Sequence, residues 1–220
     1  MINSNTLKFL KDLNAHNNKA WFDEHRHQFE IVKSDFYLFV ESLIAAVAKF
    51  DAPIGQLSVK ACVFRINRDV RFSKNKTPYK TNLSCYLNNA GKKGLGAGYY
   101  LHIEPGKSMA AGGIWMPETG VLSGIRQEID YNFTDWKKII EHKHFRKTFT
   151  EGVKTNDRLV RPPKGYDEDN EAIAFLKMKS FIVSKPFTDS ELQNNNFVKE
   201  VAKTFNCMKP MIDFLNTAVH

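Results

Sequence analysis

Hydrophobic residues recur at three- and four-residue intervals over residues 18–50. This spacing puts the apolar side chains on one face of an α-helix. The pattern therefore predicts a long helix in this segment, which a break near Ser34 could divide. A shorter helix is predicted over residues 5–15, with Asn5 or Thr6 as its N-cap.

The hydrophobic period changes to two from Ser58 onward, which is typical of β-strands with one buried face. Strands are predicted at residues 58–66, 83–89, 99–106 and 109–116. Because short links join successive strands, the pattern favours an antiparallel meander.

Helical spacing returns in the second half of the chain. Helices are predicted after Pro117, from Thr134 and after Asp169, and a last helix from about Asp189 contains Pro210, which would kink or split it. Residues 181–187 read as one more strand. The order of elements predicts an α+β fold in a single domain, with long N-terminal and C-terminal helices and a mainly antiparallel sheet of about four to six strands packed with several helices.

The size and composition of the chain agree with this fold class. Its 220 residues suffice for one substantial core, and 42% hydrophobic with 25% charged residues is typical of a globular protein. Three scattered cysteines favour neither a disulfide framework nor a zinc site and fit a reducing compartment. No leader-like segment or run of eighteen apolar residues occurs, so a cytoplasmic protein without a membrane partner is expected.

The net charge is +8, which makes an anionic partner worth considering. Such a partner could be a nucleic acid, a phosphometabolite or a lipid headgroup. The alternative is that the positive charge only keeps the surface soluble, because net charge bears on association and not on fold.

The cations are concentrated in one segment, RINRDVRFSKNKTPYKTN, at residues 65–82. Six Arg or Lys residues occur within sixteen positions, and Pro78 restricts the backbone before it. Solvated, isolated charges would give the segment no collective purpose. Several cations converging on one anion would instead grip its oxygen atoms through charge-assisted hydrogen bonds.

The leading hypothesis is therefore a basic pocket for an anionic, phosphate-bearing small ligand. Its predicted ligand-binding residues are Arg65, Arg68, Asp69, Arg71, Lys76, Tyr79, Lys80 and Arg126. Asp69 would hold an arginine in place, and Tyr79 would donate a hydrogen bond or stack. On this hypothesis, Arg71→Ala is expected to abolish ligand binding without disturbing the fold.

Two alternatives remain open at this point. Nucleic-acid binding would use the same cations with Phe72 and Tyr79 as stacking surfaces, and its affinity would fall steeply with salt. A protein-interaction module would instead use the motif as an internal ion-pair network, with Arg65 and Asp69 buried against each other.

One predicted strand carries side chains that can take part in catalysis. Tyr100, His102 and Glu104 share one face of a predicted strand, so His102 or Asp69 is a candidate base for phosphoryl or acyl chemistry. The His25/His27 and His142/His144 pairs have a spacing that points their rings apart on a helix, so no metal site is predicted. No cofactor and no protein partner can be named from the sequence.

The run FRINRDVRFSKNKTPYK at residues 64–80 resembles the signature of a widespread bacterial and fungal family known only as a domain of unknown function, number 2461. Further segments match in order: NNKAWF (17–22), GGIWMP (112–117), IR (125–126), LVRPPKGY (159–166) and FLK (175–177). The resemblance implies a single-domain cytoplasmic protein and implies no activity or cofactor. It singles out Arg65, Asp69, Arg71, Lys76, Tyr79 and Lys80.

Overall fold

The computed structural model describes residues 1–219. Its α-helices are α1 (Ser4–Ala15), α2 (Lys19–Glu24), α3 (Arg26–Val47), α4 (Val59–Cys62), α5 (Thr119–Tyr131), α6 (Phe133–Ile140), α7 (Lys143–Thr148), α8 (Ile173–Leu176), α9 (Asp189–Leu192) and α10 (Phe197–Asn216). Short 3-10 helices span Ala52–Gln56 and Gly91–Lys93. The strands are β1 (Leu83–Leu87), β2 (Gly98–Ile103), β3 (Ser108–Ile114) and β4 (Phe181–Phe187).

The four strands form one antiparallel sheet in the order β1-β2-β3-β4. Strands that are neighbours in the chain are therefore neighbours in the sheet, as short connections favour. The predicted α+β class, with long helices toward both ends of the chain, is confirmed.

Residue contacts divide the chain into two compact units. The first comprises Met1–Lys92, Tyr100–Ala110 and Pro186–Lys203. The second comprises Lys93–Tyr99, Ala111–Lys185 and Thr204–His220. The single domain expected from the sequence stays a prediction.

The first unit contains the helical N-terminal segment, in which two sequence-based details were wrong. The long helix is interrupted at His25 and not at Ser34, because His25 leaves helical geometry at φ −99° and ψ 14° between α2 and α3. The N-cap of α1 is Asn3, whose side chain accepts the N–H of Asn5 at 2.9 Å. The observed cap therefore lies two residues before Asn5 and three before Thr6.

The strand predicted at residues 58–66 is also wrong in its first half. The Ser58 hydroxyl accepts the N–H of Ala61 at 3.3 Å and caps the single turn of α4. A capping hydroxyl offers the backbone an alternative to strand pairing, which the alternation of side chains does not reveal. The chain becomes extended only afterwards, where Val63 pairs in antiparallel fashion with Cys85 of β1.

The second unit has its own aromatic core. The buried Trp136 of α6 lies within 6.2 Å, between ring centroids, of Phe175, Phe181 and Phe214. Gly113 of β3 has φ +121°, and a Cβ atom there would lie 1.9 Å from the carbonyl oxygen of Phe181. Glycine is required at this position because the neighbouring strand approaches its backbone closely.

The helices of the second unit are shorter than the sequence predicted. The segment from Thr134 onward forms two helices, α6 and α7, and the segment after Asp169 forms only the single turn of α8. Pro210 lies within α10 without ending it. Helix propensity and apolar spacing located these segments but did not fix their boundaries.

Candidate functional site: a cationic hollow at the base of a loop

The basic segment forms a hairpin-like loop in the first unit. Near its ends the backbone is paired: the N–H of Arg68 donates to the carbonyl of Pro78 at 2.9 Å, and the N–H of Lys80 donates to that of Ile66 at 2.8 Å. Residues 66–68 and 78–80 are called the loop base. Residues 69–77 between them are called the loop tip.

One side chain from outside the loop holds its base in place. The Asn17 side chain accepts the N–H of Tyr79 at 3.1 Å and donates to its carbonyl at 3.0 Å, as a neighbouring strand would. The buried ring of Tyr79 stacks on Phe22 of α2, with ring centroids 3.9 Å apart. Tyr79 is therefore a packing residue in this structure, which explains why burial raises the pKa of its phenol.

The loop tip is largely exposed, and its side chains form their hydrogen bonds within the loop. Asp69 accepts from the Arg71 guanidinium at 3.0 and 2.7 Å, which lowers the pKa of the Asp69 carboxyl. The ammonium of Lys76 donates to the carbonyls of Val70 and Arg71. The Phe72 side chain is 96% exposed, with the Arg71 guanidinium 5.8 Å from its ring centre.

The buried Arg65–Asp69 ion pair expected for an interaction module is not formed among residues 1–219. The aspartate pairs instead with Arg71, and both side chains are largely exposed, at 45% and 75%. Sequence spacing could not distinguish the two arginines, because the turn between them decides which one faces the carboxylate.

A hollow of about 460 Å³ opens beside the loop base. The residues that line it are Phe64, Arg68, Asp69, Lys80, Asn82, Ser84 and Tyr100. All of them belong to the first unit. The wall thus combines two cations, one carboxylate already paired with Arg71, and several neutral hydrogen-bonding groups.

The electrostatics of the hollow centre on Lys80. Its side chain is partly buried, with the ammonium 5.2 Å from the centre of the Phe64 ring. Burial lowers the pKa of Lys80, and the positive charge of Arg65 lowers it further. Within residues 1–219, the Lys80 ammonium has no carboxylate within salt-bridge distance.

Arg68 adds a second cation to the same wall. Its guanidinium donates to the carbonyl of Thr77 at 3.1 Å, to the hydroxyl of Thr77, and to the hydroxyl of Ser73 at 3.4 Å. These acceptors are all neutral, so they orient the guanidinium without cancelling its charge.

A chain of hydrogen bonds leads away from the hollow along β2. The Tyr100 hydroxyl lies 2.9 Å from Nδ1 of His102, and Nε2 of His102 lies 3.1 Å from Glu104. The hydroxyl of Thr81 donates to the other oxygen of Glu104 at 2.6 Å. Burial raises the pKa of the Tyr100 phenol, and a hydrogen bond with Ser84 opposes this. His102 is thereby connected to the hollow through Tyr100.

The predicted site residues are thus distributed over several places. Arg68, Asp69 and Lys80 line the hollow, and Arg65 acts on Lys80 through its charge. Arg71 and Lys76 lie in the loop tip and Tyr79 in the packed base.

Arg126 lies in the second unit, where it donates to the carbonyls of Leu176 at 2.7 Å and Met178 at 3.2 Å. Sequence reasoning did not select Asn17, Thr81 or Ser84. The signal available for Ser84 was the two-residue period of β1 and β2, because successive side chains of a strand point to opposite faces of the sheet.

No helix in residues 1–219 has the length and apolar composition needed to cross a membrane. In the same residues, no three His, Cys, Asp or Glu side chains are grouped so that they could hold a metal ion.

The fold and the hollow together define an α+β protein with a cationic, hydroxyl-lined site. Residues 5–214 match the model of a family described as conserved hypothetical protein (DUF2461), and the chain belongs to this family. Membership in the family that the sequence resembled is thereby confirmed. Comparison with curated proteins and with solved structures gives no significant match.

Proposed function

We propose that the protein binds a small anionic, phosphate-bearing ligand in the hollow at the loop base. The observation that carries this proposal is the partly buried ammonium of Lys80, which has no carboxylate partner among residues 1–219. Keeping an ammonium ion away from water is costly unless an opposite charge compensates it. A bound anion supplies that charge.

Arg65 and Arg68 strengthen the case for an anion. The charge of Arg65 disfavours the protonated form of Lys80, so the two cations repel each other in the unliganded site. An anion between them would turn this repulsion into two attractions. Arg68 is already oriented by neutral acceptors and can add a charge-assisted hydrogen bond.

The test compares two lysines of the same loop. Binding of inorganic phosphate, sugar phosphates and nucleotides is measured by calorimetry at low and high salt for the unmodified chain, Lys80→Met and Lys74→Met. Lys74 is an exposed residue of the loop tip, so both variants lose the same charge and only one loses it from the hollow. Loss of one charge-assisted hydrogen bond is expected to weaken binding about tenfold or more in Lys80→Met.

The control, Lys74→Met, is expected to bind as the unmodified chain does. If both variants weaken binding equally, general surface charge is responsible and the hollow is not the site. A cytoplasmic location is part of this proposal, since three scattered cysteines suit a reducing compartment.

Single-stranded nucleic acid is the second candidate, and the loop tip supports it. Phe72 is almost fully exposed at the end of a loop rich in cations, and a base can stack on such a ring while Arg71 and Lys76 contact phosphates. Fluorescence anisotropy with a short labelled oligonucleotide, at several salt concentrations, tests this with Phe72→Ala. Affinity that is independent of both salt and Phe72 would exclude the candidate.

A further inference from the structure

The hydrogen bonds around His102 have a defined direction. The Glu104 carboxylate can only accept, so it takes the Thr81 hydroxyl at 2.6 Å and the Nε2–H of His102 at 3.1 Å. Nδ1 of the neutral ring is then an acceptor and receives the Tyr100 O–H at 2.9 Å. We assign this tautomer from its partners.

Ser84 is at the other end of this chain. It forms a side-chain hydrogen bond with Tyr100, an interaction that lowers the pKa of the phenol against the larger effect of burial. Because the Tyr100 O–H is given to Nδ1 of His102, the Tyr100 oxygen accepts here and the Ser84 hydroxyl donates. A proton leaving Ser84 therefore has a continuous route to His102, in which Tyr100 takes one proton and gives up another. Because burial keeps the phenol protonated, Tyr100 passes protons without resting as a phenolate.

The relay opens onto the hollow at its serine end. Ser84 and Tyr100 line the hollow together with Lys80 and Arg68, although the whole Ser84 residue is only 4% exposed. The hollow thus brings together a hydroxyl, a proton relay that ends at a carboxylate, and cations that can hold a charged substrate. A nucleophile beside a base that a third group orients is the arrangement on which covalent catalysis by serine depends.

We propose that Ser84 is the nucleophile of an esterase whose substrate is a carboxylic ester carrying a negative charge. The proposal rests on the anion site described above, because Lys80 and Arg68 would hold the charged group of the ester. His102 is the proton acceptor, Tyr100 connects it to Ser84, and Glu104 is a positioning residue that stabilises the imidazolium.

The reaction balances without any further reagent except water. Oγ of Ser84 forms a bond to the carbonyl carbon as its proton passes to Tyr100 and the Tyr100 proton passes to Nδ1 of His102. The bond from the carbonyl carbon to the leaving oxygen then breaks, and the relay returns the proton to that oxygen. Water attacks the acyl-serine by the same route, which releases the acid and restores Ser84.

The first test needs no variant and so does not depend on how a substitution folds. The unmodified chain is treated with a fluorophosphonate probe, which forms a covalent bond with activated serines, and the modified peptide is identified by mass spectrometry. Modification of Ser84 alone among the serines is expected. Absence of an adduct on Ser84 in the folded chain would overturn the proposal.

The second test measures hydrolysis of two p-nitrophenyl esters, the anionic hydrogen succinate and the neutral acetate. The anionic ester is expected to have a kcat/KM about tenfold or more above that of the neutral one. Ser84→Ala is expected to abolish turnover, whereas Ser42→Ala, on the exposed surface of α3, is the matched control and retains it.

Variants of the relay distinguish chemistry from structure. Tyr100→Phe and His102→Asn are expected to lower kcat by about a hundredfold or more while KM for the anionic ester is little changed. Glu104→Gln is expected to lower kcat less and to change the pH profile, because the imidazolium loses its carboxylate. If all three changed only the melting temperature, the relay would be structural and the proposal wrong.

The outcomes also separate this inference from the anion site. Phosphate binding that needs Lys80, without a Ser84 adduct or ester hydrolysis, would overturn the esterase and leave the anion site standing. A Ser84 adduct with equal turnover of both esters, unaffected by Lys80→Met, would overturn the anionic substrate class, while phosphate binding to Lys80→Met decides the anion site separately.

Discussion

The loop base and the loop tip contain the same kinds of residue, but their charged side chains have different partners. At the tip, Asp69 and Arg71 pair in solvent and the Lys76 ammonium bonds to backbone carbonyls. At the base, the backbone is paired and Asn17 clamps Tyr79. Lys80 is partly buried there, and no carboxylate of the described residues 1–219 forms a salt bridge with it. Charge density alone therefore does not identify a site, because the cation that lacks an internal partner is the one available to a ligand.

The difference follows from how far each charge is removed from water. A pair in solvent gains little from its attraction and is screened by salt. A partly buried ammonium is destabilised as long as it has no counter-charge. Binding of an anion removes this destabilisation, which makes the free energy of binding more favourable. The following predictions compare a change at the base, or in the adjoining hollow, with a matched change at the tip.

The largest effect is expected for the clamp at the base. Asn17→Ala leaves the N–H and carbonyl of the buried Tyr79 without their partner, and at about 1 to 3 kcal/mol for each group the free energy of unfolding should fall by about 2 to 6 kcal/mol. Urea denaturation measures this change. At the tip, Lys76→Ala also removes two bonds to backbone groups, but these are exposed and should leave the unfolding midpoint unchanged.

Asn17→Asp is the graded control for the clamp. It keeps an acceptor for the N–H of Tyr79 and loses the donor to its carbonyl, so its stability should lie between those of the unmodified chain and Asn17→Ala. Equal destabilisation by Asn17→Ala and Lys76→Ala would contradict the contrast between base and tip.

The next effect concerns the carboxylate at the end of the relay. Burial tends to raise the pKa of Glu104, but hydrogen bonds from Thr81 and His102 and nearby positive charge outweigh it and hold the pKa below its ordinary value. A carboxyl with a lowered folded pKa stabilises the fold above its unfolded pKa, and this stability is lost as the pH falls through the folded pKa.

Glu104→Gln should therefore lower the free energy of unfolding by about 1.5 to 3 kcal/mol at neutral pH, and the difference from the unmodified chain should shrink in acid. Denaturant unfolding at stepwise lower pH measures both. At the tip, Asp69→Asn provides the comparison: the pKa of Asp69 is also lowered, yet its partner Arg71 is exposed, so no measurable loss is expected. An equal loss in both variants would show that burial does not matter here.

A third, smaller effect is the pH dependence of anion binding. Because burial and Arg65 lower the pKa of Lys80, its ammonium loses its proton at a lower pH than an exposed lysine does. Affinity for sulfate, whose charge does not change in this range, should fall by about tenfold as the pH rises through the pKa of Lys80.

Lys80→Arg identifies the titrating group. A guanidinium remains charged throughout this range, so the variant should bind sulfate with little dependence on pH. If the affinity of Lys80→Arg falls as that of the unmodified chain does, another group is responsible.

The smallest effect is expected at the tip itself. Arg71→Ala removes an ion pair that both partners form in solvent, so phosphate affinity should change by less than about threefold and the melting temperature should be unaffected. The sequence had suggested that this substitution would abolish binding. Calorimetry of Arg71→Ala beside Lys80→Met decides between the two expectations.

Much of the fold was predictable because apolar periodicity follows directly from backbone geometry. It located α1, α3 and α10 and all four strands of the sheet. It failed where a single polar side chain contacts the backbone locally. The Ser58 hydroxyl caps α4, and Nδ1 of His25, at the end of α2, lies 2.8 Å from the carbonyl oxygen of Trp21. Such groups act through individual hydrogen bonds, which leave no periodic signal.

The candidate site was predictable only in part, for a related reason. The sequence drew attention to the basic loop and to Tyr100, His102 and Glu104 on one strand face, and the hydrogen bonds along that face agree with the two-residue period. It could not rank the cations, since Arg71 and Lys80 differ only in which neighbours and how much water the fold gives them.

The sequence by itself determined the α+β class, the family and the position of the cationic loop, because periodicity, motif and charge are properties of the order of residues. Tertiary structure alone decided that Asn17, distant in sequence, clamps Tyr79 and that Ser84 forms a hydrogen bond with Tyr100 at the hollow. Burial and hydrogen-bond partners arise only when separated segments meet, and these determine whether a charge is neutralised, solvated or left available to a ligand.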